Sequence, residues 1–474
     1  IRTYLPEGFL KNLRYDKPIT MLDLMSHQAG FDEVTMYLQE DKSIEEILKE
    51  QQPIQSFEPG TVTAYSNYGA GLAALIVERI SGQTFADYAH EHIFQPLGMD
   101  KTAILPDLSD NSYVQKKRQE TKGYDTKGNL LSKDHFITSI YPIGAATGTL
   151  KDLEKFAQAL LARKTLFERP ETWNTFYTAS STYPDTDIIR NAHGFWANEY
   201  GTTVLGHGGN TAGATSRIML DLEHGIGYVV MTNQGTEQNY NFQMPELVFG
   251  PRKTASKETK EQFSPGYYRT LRNFNQGPLA IFKMIPASAD YLQEPSDDQR
   301  LPNNFWTIYQ SQGKTRIAVA VADYEKVSDF DFFKDYVVLG LAGLGIIYAL
   351  GLLIISPLLG VYRLIFRKKQ DQPDRTWKVW NLLTAVGILA VPVNLFLLFM
   401  SATSGDFSEI AQWRYMLFAA LGLLLTTAAL LPLFRKFREK LSKVRLFLTA
   451  MTSLSALAVA TNILYWSLYQ WWVF

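Results

Sequence analysis

Two short stretches carry side chains whose types and spacing can do chemistry. The first is Tyr65-Ser66-Asn67. In a loop, residues two apart can converge on one cavity. A phenol there takes a proton near neutral pH only if neighbouring cations hold its pKa down. An asparagine two places on offers a carbonyl and an amide, so it can bridge a cation and a substrate. The second stretch is His207-Gly208-Gly209. A histidine can shuttle a proton or hold a carboxylate, and glycine lets another backbone approach a strand edge. Acyl transfer by a serine needs such parts: a base, a group that orients the substrate amide, and N–H donors at the developing oxyanion. Taken alone, the same residues read as ordinary structure. Tyr65 is then a half-buried aromatic, Asn67 the N-cap of a following helix, and His207 the closure of a Gly-rich turn.

The elements that must position these residues fit an α/β or α+β domain over residues 1–250, where amphipathic helices alternate with short strands bounded by Gly and Pro. After the turn Phe57-Glu58-Pro59-Gly60, the spacing from Tyr68 to Ile80 predicts a helix that Ser81-Gly82 stops. Thr84 caps a second helix ending near Pro96-Leu97-Gly98-Met99. The runs Ser216 to Leu222 and Ile226 to Thr232, separated by Glu223-His224-Gly225, predict a hairpin.

Composition narrows the classes. A net charge of -1 over 474 residues points to no nucleic acid. Cysteine is absent, which excludes disulfides, thiolate catalysis and Cys-based metal sites. His90 and His92 lie two apart on an expected helix and so diverge, while His27, His135, His193, His207 and His224 are scattered. No metal and no cofactor are expected. The first residue is Ile1 and no signal-peptide pattern opens the chain, so the sequence is expected to start inside a longer protein.

Four ordered blocks carry a resemblance. The run EPGTVTAYSNYGAGLAALIVERISGQTFADYAHEHIFQPLGMDKT resembles the Tyr-x-Asn segment of the serine β-lactamase and penicillin-binding protein superfamily. YLPEGF from Tyr4, ITMLDLMSHQAGF from Ile19 and GHGGNTAGATSRIMLDLEHGIGYVVMTN from Gly206 agree in order. PIGAATGTLKDLEKFAQAL from Pro142 is similar to a stretch along the family's cavity wall. The resemblance implies an antiparallel sheet flanked by helices, a β-lactamase/transpeptidase-like domain. It implies catalytic roles for Tyr65, Asn67 and His207, and a substrate-binding and oxyanion edge at Gly208, Gly209 and Asn210, with the N–H of Asn210 as second oxyanion donor. His207-Gly208-Gly209 stands where the resembled family places Lys-Thr-Gly or His-x-Gly, and histidine in place of lysine points away from β-lactam hydrolysis and toward the D-amino-peptidase and esterase branches. His27 reads as support behind the site, His193 and Trp196 as packing, and Thr147, Gly148 and Thr149 as pocket lining or a tight turn. The family's Ser-x-x-Lys, nucleophile and base on one helix turn, is expected roughly 30 residues before Tyr4.

The last third has another character. Tyr336 to Val361, Asn381 to Met400, Tyr415 to Phe434 and Leu446 to Tyr469 lack charge for at least about 18 residues, enough to cross a bilayer as helices. Arg363, Arg367, Lys368, Lys369, Arg375 and Lys378 fill the first connection. Arg435, Lys436, Arg438, Lys440, Lys443 and Arg445 fill the third. Both are expected inside, which turns residues 1 to 330 outward, with Trp471, Trp472 and Phe474 as interface anchors. No span holds an ionisable group of the kind that pumps use, so Asn381, Asn394 and Asn462 are expected to join helices of an anchor.

The domain expectation is therefore a hydrolase domain at 1–250, a small β-rich module and linker at 251–330, and a four-helix transmembrane region at 331–474. Gly266-Tyr267-Tyr268-Arg269 resembles the start of the β-rich segment that often follows the hydrolase domain in membrane-bound members, and Pro286 to Asn304 reads as a loop or hairpin connection to the membrane. The expected function is a membrane-anchored, extracytoplasmic serine peptidase or amidase whose substrate is a peptide or acyl-D-amino acid. The alternatives are an esterase on the same residues and a non-catalytic binder of peptidoglycan or peptide.

Overall fold

Serine and glycine set the ends of the first long helix. The Ser66 side chain accepts the N–H of Gly69, starting the helix Asn67–Ser81, and Gly82 in a left-handed conformation (φ 72°) ends it. Ser66 is therefore the cap, and Asn67 is the first residue inside the helix. In this computed structural model, residues 1–11, 13–33, 42–131, 140–253, 263–273, 289–293, 305–366, 375–404, 409–439 and 441–470 are described. The helix buries Tyr68, Leu72, Leu75 and Ile76 in one cluster with Leu24, Phe31, Leu48 and Ile140. Each such burial contributes roughly 1.5–3 kcal/mol. Thr84 caps a five-residue helix, Phe85–Ala89, that continues as a wider turn to Phe94.

The strands form three sheets. A ribbon pairs β1 (Thr102–Ala103) with β2 (Thr147–Gly148). A six-stranded sheet runs in chain order: β3 (Ser181–Thr182), β4 (Ile189–Ala192), β5 (Phe195–Glu199), β6 (Thr203–Thr211), β7 (Ala214–Asp221) and β8 (Ile226–Thr232), with each pair antiparallel. The hairpin expected around His224 is β7–β8. Asp221 faces Ile226 across it and accepts the N–H groups of Glu223 and His224 at 3.1 and 3.0 Å, which closes the turn. Thr149 caps the helix Leu150–Ala162, whose Ala157 and Leu160 pack with Ile218 and Leu220 of β7. This is the antiparallel sheet with flanking helices that the resemblance implied.

The third sheet has the order β10 (Ala289–Leu292), β9 (Gly266–Thr270), β13 (Asp323–Val327), β12 (Lys314–Val319), β11 (Trp306–Ser311). Within Pro286 to Asn304, expected as a loop or hairpin, residues 289–292 form strand β10. Leu292 packs with Tyr268, Ile317 and Val319, a tertiary gain that the polar flanks conceal. Residues 294–304 lie outside the described residues.

By contacts the chain divides into two compact units, residues 1–273 with 290–326, and residues 274–289 with 327–474. The sequence reading drew 251–330 as a module of its own, whereas most of the five-stranded sheet falls in the same unit as the residues expected to do chemistry. A buried ion pair helps to join them. Arg190 of β4 donates to Asp323 of β13 (2.7 Å) and to the carbonyls of Ala320 (3.2 Å) and Val319. Asp323 also accepts from the N–H of Thr63 (2.9 Å) and the hydroxyl of Tyr309 (2.7 Å), so both charges are compensated.

The second unit holds four helices long and apolar enough to cross a membrane, Asp329–Tyr362, Arg375–Met400, Trp413–Leu433 and Lys443–Tyr465. Its interior packs small and apolar residues, including Ala349, Ala385, Phe418, Leu425, Ala456 and Val459. A side chain at Gly345 would meet the backbone of Ser455 at 3.1 Å, so glycine sets a close helix approach there. All three asparagines bridge helices. Asn381 accepts from Thr452 (2.6 Å), while Asn394 donates to the Arg414 carbonyl (2.9 Å) and Asn462 to that of Val338 (2.8 Å). Leu344, Ile347, Leu423 and Leu464 face outward, an apolar exterior around neutral polar bridges. The expected anchors Trp471, Trp472 and Phe474 lie outside the described residues, as do Arg367, Lys368, Lys369 and Lys440.

Candidate active site

Tyr65 ends a segment held by the turn between β12 and β13. Ala64 bridges Ala322, the N–H of Tyr65 donates to the Val321 carbonyl (3.1 Å), and Asp323 donates to the Thr63 carbonyl (2.8 Å). The half-buried Tyr65 ring stacks on His27, centroids 4.1 Å apart, and Trp196 stacks on His27 at 5.5 Å. Nδ1 of His27 accepts the N–H of Ser66 at 3.1 Å, which leaves the ring proton on Nε2. Burial, with help from the neighbouring His207 and Arg272, lowers the His27 pKa to about 3, so this ring is neutral near pH 7. His27 thus supports Tyr65 from behind, with Trp196 packed beneath it.

A second group meets the same phenol. The Arg272 guanidinium carbon lies 4.6 Å from the Tyr65 ring centroid. Arg272 donates through Nε and Nη2 to one oxygen of the buried Glu33 at 3.0 and 2.7 Å. Glu33 also accepts from the backbone N–H and side-chain amide of Asn67 at 3.3 Å. Asn67 is therefore turned by its amide toward an anion, and its carbonyl oxygen has no protein partner among the described residues. Burial raises the Tyr65 pKa, while Arg272 pulls it down and Glu33 pushes it up. Neither Arg272 nor Glu33 was singled out from sequence. They lie 239 positions apart, and no local pattern marks either one.

His207 faces this cluster from β6, its ring centroid 6.4 Å from that of Tyr65. Nδ1 donates to the Gly208 carbonyl (2.9 Å), which leaves Nε2 as an acceptor when the ring is neutral. Burial lowers the His207 pKa, and Arg217 adds to that. Strand β6 outruns β5, whose last pair with it is Trp196 with Gly206. The two-residue turn Ala212-Gly213 makes Thr211 and Ala214 the hydrogen-bonded closing pair. Alternation then turns the N–H and C=O of Gly208 and Asn210 away from β7, to the unpaired edge. The Asn210 side chain is occupied elsewhere, accepting the Thr236 N–H (2.8 Å) and the Thr215 hydroxyl (3.0 Å). A Cβ on Gly206 would stand 2.4 Å from the Ile218 carbonyl, and one on Gly209 2.8 Å from the Ser216 hydroxyl. The first clash is with backbone, so glycine is needed at 206 for strand packing, beyond any approach by a ligand.

The remaining candidates take structural places. Thr147 and Gly148 form β2, and Thr149 caps a helix. His193 sits at the β4–β5 turn with φ 48°. The sequence contains one Ser-x-x-Lys by spacing, Ser311 to Lys314, but these residues face each other across the β11–β12 turn and share no helix.

A family model described as Beta-lactamase matches residues 1–249. The chain belongs to the beta-lactamase family. Members of this beta-lactamase fold are serine hydrolases. The chain is 26% identical over 266 residues to an unguisins hydrolase of Aspergillus campestris, covering 52% of this chain and 48% of that protein. It is 29% identical over 150 residues to a beta-lactamase of Yersinia enterocolitica, covering 30% of this chain and 35% of that one. It thus spans less than half the length of these curated relatives. Among solved structures, an octameric penicillin-binding protein homologue from Pyrococcus abyssi aligns over 69% of this chain and 83% of its own, with 17% identity and a TM-score of 0.44.

Proposed function

We propose that this beta-lactamase family chain carries the base and the substrate-binding edge of a serine peptidase or amidase acting on D-amino-acid-containing peptides. The observation that carries this reading is the meeting of Tyr65 and His207, rings 6.4 Å apart, beside the unpaired edge of β6. In this scheme the Tyr65 oxygen takes the serine proton, and the N–H of Asn210 joins the serine's own N–H in holding the oxyanion. A neutral His207 accepts a hydrogen bond through Nε2 and lacks the permanent charge a lysine would bring there. That difference supports acyl-D-amino-acid substrates over β-lactams. An esterase on the same residues would differ in pocket width.

The four apolar helices support anchoring in a membrane. The cationic first and third connections support residues 1 to 330 facing outward.

The test is acylation of the full-length membrane protein by fluorescent penicillin and by an activated acyl-D-amino-acid ester, followed by intact mass. An adduct that is lost in Tyr65→Phe and slowed in His207→Ala is the expected result. Absence of any adduct from folded protein would favour the peptidoglycan- or peptide-binding alternative.

A further inference from the structure

Arg272 belongs to neither motif, yet it meets the residue at the centre of the proposed chemistry. It follows β9, and its guanidinium stands 4.6 Å from the Tyr65 centroid. Two of its nitrogens grip one oxygen of Glu33, a carboxylate that is 2% exposed. The Glu33 N–H donates to the Asn273 carbonyl at 3.0 Å, so backbone and side chain hold the arginine together. The same carboxylate takes the N–H of Asn67, in the first turn after Tyr65. One anion thereby ties the cation to the segment that presents the phenol.

We propose that Arg272 is the positioning residue of Tyr65, a fixed guanidinium that favours its phenolate and supplies the positive charge that a lysine at position 207 would have brought. This rests on the reading of Tyr65 as the proton acceptor. The groups that face Tyr65 are His27 after the helix Met21–Met25, His207 on β6, and Glu33 and Arg272. Both histidines are held toward the neutral form by burial, and Glu33 is an anion. Arg272 is the permanent cation that meets the ring among the described residues. An opposite charge at about 4–6 Å lowers a pKa by roughly 1–3 units, which works against the cost of burying a phenolate. Lysine would bring the charge without the planar fork that fixes arginine on a carboxylate.

The step balances as follows. The Tyr65 phenolate removes the proton of the serine hydroxyl as the serine oxygen bonds to the substrate carbonyl carbon. When the C–N bond breaks, the phenol returns that proton to the leaving amine and is again a phenolate.

The closing experiment follows Tyr65 itself, so it does not depend on finding the substrate. The full-length protein is labelled at tyrosine Cζ with carbon-13, the Tyr65 signal is assigned with Tyr65→Phe, and its titration is recorded by NMR. Arg272→Met leaves the buried Glu33 unpaired and risks misfolding, so it is made together with Glu33→Gln. The double variant should titrate at higher pH than the wild type by about one unit. Glu33→Gln alone, which keeps the cation, should move the midpoint down, and Arg272→Lys should fall between wild type and the double variant. The acid limb of the pH dependence of kcat/KM should move with the same signs. Coincident titrations in Glu33→Gln and the double variant, which differ only in Arg272, would overturn the proposal, whatever happens to the rates. A wild type that titrates as expected but acylates with no reagent would sink the functional reading and leave the role of Arg272 standing.

Discussion

His207 stands on a strand whose neighbours β5 and β7 are also its sequence neighbours, each joined by a short turn. Tyr65 is instead held by His27, Glu33, Val321 and Arg272, and its segment takes a hydrogen bond from a residue 260 positions away. One wall is fixed by local register. The other is assembled from distant pieces whose charges must all be paired. The apolar bundle is a third case, in which neutral amides and hydroxyls bridge helices whose pairing the apolar packing already specifies. Two ion pairs between distant residues, Arg190 with Asp323 and Arg272 with Glu33, meet the segment that presents Tyr65.

The largest expected effect tests which wall carries the base. Tyr65→Phe should reduce acylation of the full-length protein by roughly 10²–10⁴-fold, the range for a lost general base, with melting temperature little changed. A larger loss in His207→Ala than in Tyr65→Phe would reverse the assignment.

The next tests the distant assembly. Arg190→Met leaves Asp323 buried without its cation and should cost about 3–5 kcal/mol of stability, read by denaturant or thermal melting. A substitution of Lys314, an exposed partner of Glu325 on the same sheet, should cost under about 1 kcal/mol. Equal losses in the two would show that the buried pair has no special place.

Acidity separates the two walls more finely. The folded pKa of His27 lies near 3, below the unfolded value near 6.5, so between these values the unfolded chain binds more protons. Stability supplied by the neutral ring is present above pH 6.5 and is lost as pH falls toward 3. The loss should reach roughly 3 kcal/mol at pH 4. His27→Gln should flatten that part of the melting profile, and an unchanged slope would place the acid sensitivity elsewhere.

The smallest effect belongs to the bundle. Asn462→Leu removes one bridge to Val338 and should cost roughly 0.6 kcal/mol in detergent or lipid. A cost of several kcal/mol would mean that the helices depend on it for register.

Much of this was legible in the residues. Ser81-Gly82 stops its helix, Glu223-His224-Gly225 turns its hairpin, and each asparagine of the apolar spans bridges two helices, because each depends on nearby chain or on a solitary polar group in apolar surroundings. The ordinary-structure alternative for Asn67, the helix cap, falls one residue late: Ser66 is the cap, and the Asn67 amide donates to Glu33, 34 positions away. Between Pro286 and Asn304 the sequence left loop and hairpin open, because the strand that β10 pairs with, β9, precedes it across a long gap.

By itself the sequence determined the alternation of helix and strand, the four apolar helices, and the candidates Tyr65, Asn67 and His207. These follow from periodicity, turn chemistry and ordered motifs, all short-range properties of a chain. The tertiary structure alone decided that Arg272 and Glu33 meet Tyr65 and that the β12–β13 turn carries its backbone. Charge pairing acts through space with no regard to sequence distance, so residues 239 positions apart become neighbours only once the chain has folded.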